Sequence, residues 1–228
     1  MQCNAMQCQQ LLISVCEMKI SFAAKDTDTD VAEWKGDLLA VAVTEKDVTR
    51  DGELKFQNPI LRTLDSKLGG LLGEASSEED FTGKLGQSTL LRITPAAGLG
   101  SKRLALLGLG PSVSSTAAFK TLGESVASAA NSAQAANAVV VVLPTFQGLS
   151  APNIASAIAT GTVVGTFEDN RFKSESKKKP ALKSLDIIGL GTGPEFEKKL
   201  KYAGDVSSGI ILGRELVNSP PNVLTPGR

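Results

Sequence analysis

Three uninterrupted apolar runs constrain this chain most: Asp37–Val43 (DLLAVAV), Arg103–Leu109 (RLALLGL) and Val139–Leu143 (VVVVL). Each has the length of a strand and none alternates with polar residues. Such runs suit strands covered on both faces, as in the largely parallel sheet of an α/β protein. Val139–Leu143 is the strongest of them. The segments between carry helical periodicity instead. Ile60, Leu61, Leu64, Leu68, Leu71 and Leu72 recur at helix spacing behind Asn58-Pro59, a cap residue followed by a first-turn proline, with Gly69-Gly70 weakening the helix and Gly73 ending it. Phe119, Leu122, Val126, Ala129, Ala130 and Ala133 mark an alanine-rich amphipathic helix with Ser114 and Ser115 as candidate caps.

Further elements complete the alternation. Met18, Ile20 and Phe22 alternate with polar residues, the period of a half-buried strand. Phe81–Leu85 and Ser88–Ile93 read as two strands of a hairpin around Gly86-Gln87, which makes the sheet mixed. Asn153–Glu168 reads as a helix whose Ala155, Ala159, Gly161 and Gly165 allow close packing, and Leu185–Leu190 as a strand ending in GLGTGP. Phe196, Leu200, Ala203, Val206, Ile210 and Val217 mark a long helix to Asn218, widened by Ile211, Leu212 and Leu216. The expected fold is α/β: a mixed, mostly parallel sheet flanked by helices.

Composition narrows the function. Lys and Arg number 24, Asp and Glu also 24, so the duplex nucleic-acid class lacks its usual driving force. No stretch approaches the roughly 18 apolar residues of a membrane span. With 0 histidines, Ser-His and Cys-His nucleophiles and every His-based metal site are excluded. Cys3, Cys8 and Cys16 are the 3 cysteines, too few and too early for a disulfide scaffold, which points to a reducing compartment. Met1–Val15 carries no charged side chain, lacks the positive region of a secretory signal and the arginines of a transit peptide, and reads as a frayed terminus ahead of a leader.

Candidate chemistry is thin. Gly108–Pro111, Gly189–Pro194 and the turn at Gly98 are glycine-rich segments whose N–H groups suit a phosphate. No dinucleotide or Walker pattern accompanies them, and tight turns account for them better. Asp26, Asp28 and Asp30, and Glu78, Glu79 and Asp80, are candidate oxygen ligands for a hard cation, but read as surface charge. Lys177–Lys179 reads as a solvated loop. Glu168, Asp169 and Arg171 combine charge with aromatics at a helix end, as an interface, a hinge or an ordinary terminus would. The residues alone give an α/β domain with no catalytic, cofactor or metal residue to assign.

Several segments together resemble one family. ISFAAKD, AEWKGDLLAVAVTEKD, KFQNPILRTLDSKLGGLL, SSEEDFTGKLGQSTLLRI, ASAIATGTVVGTFEDNRFKSESKKKPALKSLDIIGLG and GIILGRELVNSPPNVLTPG are similar to the N-terminal half of plant leucine aminopeptidases. The resemblance implies a macro-domain-like N-terminal domain over residues 18–193, a connector helix over 194–218 and the start of a catalytic domain at 219–228, behind a disordered or leader-like tail at 1–17. It implies a hexameric metallo-exopeptidase acting on peptides in the cytoplasm or plastid. Its two divalent ions (zinc, manganese or magnesium) sit in a catalytic domain whose ligand segments do not occur here. The chain alone is then expected to be inactive, and to join a homo-oligomer or self-associate through 196–217. The alternative is a free-standing macro-like module binding a nucleotide or phosphorylated ligand at its glycine-rich strand ends.

Overall fold

The structure, a computed structural model, describes residues 20–25, 31–51, 55–94, 98–111, 113, 115–143, 148–169 and 182–220. The apolar runs form the centre of the sheet. β1 (Ser21–Lys25), β2 (Gly36–Val43), β5 (Ser88–Arg92), β6 (Ser101–Gly108), β7 (Asn137–Val142) and β8 (Ser184–Ile188) lie in the order β1-β8-β7-β2-β6-β5, while β3 (Arg50–Asp51) and β4 (Lys55–Phe56) form a separate ribbon. β2 is central, with Leu39 between Val139 of β7 and Leu104 of β6, all parallel, and only β5 in this sheet runs antiparallel.

The pleat sorts these runs into two cores. Leu38, Ala40, Ala42, Ala105, Leu107, Val140, Leu185 and Ile187 face one side. There they meet α3 (Thr116–Ala133), α4 (Ala151–Thr166) and α5 (Pro194–Asn218) through Phe119, Leu122, Ile154, Ile158, Leu200 and Ala203. Leu39, Val41, Val43, Leu104, Leu106, Val139 and Val141 face the other, against Trp34, Phe56, Phe81 and the short helices α1 (Pro59–Lys67) and α2 (Leu71–Glu78). Both faces of each central strand are dry, which is why these runs show no alternation.

α3 and α4 touch backbone to backbone. A Cβ on Gly123 would strike the Ile158 carbonyl oxygen, and one on Gly161 the Lys120 carbonyl oxygen. The small residues read as a packing surface are therefore used as one.

The structure corrects several boundaries. Phe81–Leu85 is not a strand: Asp80, Gly83 and Gly86 all have positive φ, and the Gln87 side-chain oxygen accepts from the N–H groups of Thr82 and Lys84, which holds the segment as a loop. β5 pairs onward with β6, so the sheet is mixed, through a different hairpin. The helix expected to run past Leu68 is two helices. Gly69 and Gly70 take φ of 66° and 91°, the Gly70 N–H reaches back to the Asp65 carbonyl, and the Asp65 side chain accepts from Gly73 N–H inside α2. Gly73 thus lies within the second helix and ends neither. α4 starts at Ala151, two residues early, because Pro152 fits a first helical turn. Ser115 stands at the N-cap of α3 without a side-chain capping bond. β1 begins at Ser21, β8 ends at Ile188, and Met18 lies outside the described residues. On α5 the buried side is Phe196, Leu200, Ala203, Gly204 and Ser207, with Ile211 packed beside it; Val217, expected on that face, is 85% exposed.

Candidate functional site

In parallel α/β sheets ligands gather off the carboxyl ends of the strands. Gly108–Pro111 and Gly189–Pro194 both lie there, after β6 and β8. The first is committed to the protein itself. Gly110 N–H donates to the Gly83 carbonyl at 2.8 Å, Leu109 N–H to the Val43 carbonyl at 2.8 Å, and Glu45 N–H to the Gly110 carbonyl at 3.1 Å. A Cβ on Gly108 would enter the backbone of Gly83 and Lys84. Gly189 is required for the same reason, since its missing side chain makes room for the Val142 carbonyl. Gly191 and Gly193 have open space around them, but Glu195 and Glu197 occupy the first turn of α5 beyond them. Two carboxylates at a helix N-terminus oppose a bound anion there. Gly98 is a turn glycine with φ of 67° and open surroundings.

The acidic and basic clusters do not converge. Glu78 ends α2, and Glu79 and Asp80 follow it on the exposed surface. Among the described residues no three of Asp, Glu, Cys and His come together as a metal-ion site. The donors among the described residues thus do not fit a two-ion centre. Asp26, Asp28, Asp30, Arg171, Lys177–Lys179, Cys3, Cys8 and Cys16 lie outside the described residues. No described helix is long and apolar enough to cross a membrane.

Two carboxylates that sequence reasoning passed over organise the opposite edge of the sheet. Asp37, at the start of β2, accepts from Lys102 Nζ on β6 at 2.7 Å and from the N–H groups of Ala136 and Asn137 at 3.0 and 3.2 Å. It thereby ties the amino ends of β6, β2 and β7. The Lys102 hydrogen bond, with the two backbone N–H groups, holds its carboxyl below the usual carboxylate range against the opposing effect of burial. Asp186, midway along β8, accepts from Trp34 Nε1 at 2.9 Å and pairs with Lys25 Nζ at 2.6 Å. These three, with Asn137 and Ser184, line an open depression of about 510 Å³. Glu33 and Lys35 line the depression as well. A polar start to an apolar run and a lone acid in SLDII were the only signals, and neither names a partner.

The cluster at the end of α4 makes a connection. Arg214 Nη1 of α5 donates to the Val164 carbonyl at 3.0 Å, one of the last carbonyls of α4, and Asn218 Nδ2 reaches Asp169 Oδ2 at 3.4 Å. Glu168 and Asp169 thus stand where the long helix crosses the end of α4.

Residues 40–176 match the model of the cytosol aminopeptidase family, N-terminal domain. The chain is 67% identical over 211 residues to the neutral chloroplastic leucine aminopeptidase of Solanum lycopersicum, a match covering 91% of this chain and 36% of that protein. It is 61% identical over 216 residues to the chloroplastic leucine aminopeptidase 2 of Arabidopsis thaliana, covering 93% of this chain and 36% of that one. A solved tomato leucine aminopeptidase, a point mutant, superposes with a TM-score of 0.82 at 57% identity, over 91% of this chain and 40% of the other. The chain spans little more than a third of the length of these relatives. It belongs to the cytosol aminopeptidase family, of which it carries the N-terminal domain.

Proposed function

We propose that this chain is the non-catalytic N-terminal portion of a leucine aminopeptidase, a metal-dependent exopeptidase that removes residues from the N-termini of peptides. The observation that carries this reading is the match itself: 91% of the chain falls on 36% of the tomato relative, and the family domain matched is the N-terminal one. On this reading residues 18–193 form the assembly and regulatory domain, 194–218 the connector, and 219–228 the entry to the catalytic domain, behind a tail at 1–17. The peptide and the two divalent ions (zinc, manganese or magnesium) belong to the portion outside the match, and the working assembly is a homo-hexamer. The chloroplastic relatives support a plastid as the compartment rather than the cytoplasm.

The test is direct. The purified chain, incubated with a leucyl chromogenic substrate and added manganese or zinc, gives no turnover above the metal alone. Metal-dependent hydrolysis that survives repurification overturns the reading, because a metal hydrolase needs ligands that hold the ion and leave a position open.

A further inference from the structure

α5 has two faces. Phe196, Leu200, Ala203 and Ser207 pack inward. On the opposite side Tyr202, Val206, Gly209, Gly213 and Leu216 follow one another at alternating steps of four and three residues, the spacing of a seam that receives a second helix. Tyr202 is 60% and Leu216 45% exposed, and both glycines are exposed. The same stripe continued toward the N-terminus carries Lys199 and Glu195, so its apolar part begins only at Tyr202.

The glycines carry the argument. Where α3 and α4 meet, Gly123 and Gly161 are filled by the neighbouring backbone. Gly209 and Gly213 lie inside α5, yet a Cβ on either would meet nothing within 4 Å. A glycine inside a helix weakens it relative to alanine. Among the described residues nothing packs against either glycine to offset that loss.

We propose that the stripe Tyr202–Leu216 seats an α-helix from the aminopeptidase portion that accompanies this domain in its relatives, with the two backbones drawn together at Gly209 and Gly213. The inference rests on the function proposed above. Nearly two thirds of the tomato relative lies outside the 36% matched here. The stripe occupies the last turns of the chain's final described helix, where a helix on the same polypeptide is held at high local concentration. A second copy is the poorer occupant: a strip ~22 Å long and ~10 Å wide falls far short of the ~1,200 Å² that a stable interface buries in total.

The experiment compares the full chain with a chimera in which it replaces the matched part of the tomato enzyme. The pair Gly209→Leu and Gly213→Leu raises the Tm of the isolated chain by several degrees, since helix propensity improves and the space is open. In the chimera the same pair lowers Tm by several degrees and removes hydrogen-exchange protection from the last turns of α5. Should that chimera fail to fold, Gly213→Ala, which adds one methyl group, shows the same opposite signs on a smaller scale. A rise of Tm in both proteins overturns the seat. Self-association of the isolated chain in sedimentation, abolished by the leucine pair, overturns it in favour of a second copy. A wild-type chimera that folds but cleaves no leucyl substrate removes the parent reading, and the seat with it.

Discussion

Replacing Gly161 by alanine tests the claim that α3 and α4 are held at backbone contact. The substitution has a favourable side, since alanine in place of glycine inside a helix is worth about 1 kcal/mol. Against it, the new Cβ enters the Lys120 carbonyl and lies 3.2 Å from the Glu124 amide nitrogen. These are backbone atoms of α3 and cannot rotate aside, so the helices must separate. Separation loosens Leu122 and Val126 against Ile154 and Ile158, all 1% exposed or less. Overpacking of this kind costs about 1–3 kcal/mol, and a rigid backbone obstacle places it at the upper end. Net of the propensity gain, Gly161→Ala should destabilise by about 2 kcal/mol, a fall in Tm of about 4–8 °C for a domain of this size. Urea titration followed by far-ultraviolet circular dichroism should show a lower midpoint with an unchanged slope. Gly209→Ala, where the space is open, should raise the midpoint in the same assay. If Gly161→Ala proves as stable as the wild type, the two helices are not at contact and the reasoning fails.

The parts of this fold legible in the sequence are those whose physics is local. Val139–Val142 reads as a buried strand because its four valines need no partner to identify them, and it forms β7. Pro59 behind Asn58 announces α1, and the Asn58 side chain does accept from Ile60 N–H. Glycine is where local reading runs out. Gly73 and Gly83 look alike as punctuation, but one lies inside a helix and the other holds a loop against the Thr44 backbone. Phe81–Leu85 reads as a strand, and its composition does not reveal that positive φ at Asp80, Gly83 and Gly86 prevents pairing. Asp37 and Asp186 were illegible for another reason. Their partners Lys102 and Trp34 lie 65 and 152 residues away in the chain, so only the strand order brings them together.

Three further outcomes follow from the same contacts. Phe119→Ala removes a ring that is 1% exposed beneath α3 and should cost about 3–5 kcal/mol, read as a large fall in the urea midpoint. Arg214→Ala frees the Val164 carbonyl; it should cost about 1 kcal/mol and speed hydrogen exchange in the last turn of α4 without moving the sheet amides. The last concerns Asp37, whose folded pKa is lowered chiefly by the Lys102 hydrogen bond and then by the Asn137 and Ala136 N–H groups, while burial opposes them. A group whose folded pKa lies below its unfolded one contributes stability that is fully present above the unfolded value. That contribution disappears as the pH falls through the folded value. Lys102 is 78% exposed, so solvent screening reduces its share of that stability, and the two strand-end N–H groups supply a part that is not screened. Asp37→Asn should therefore lose about 1–2 kcal/mol at neutral pH, and the gap to wild type should close as the pH drops below the ordinary carboxyl value of 3.8. Added salt should narrow the neutral-pH gap without closing it, since it screens the exposed Lys102 pair but not the backbone hydrogen bonds. Urea midpoints across that pH range decide it: a gap that widens on acidification, or vanishes in salt, means that Asp37 does not tie the three strands.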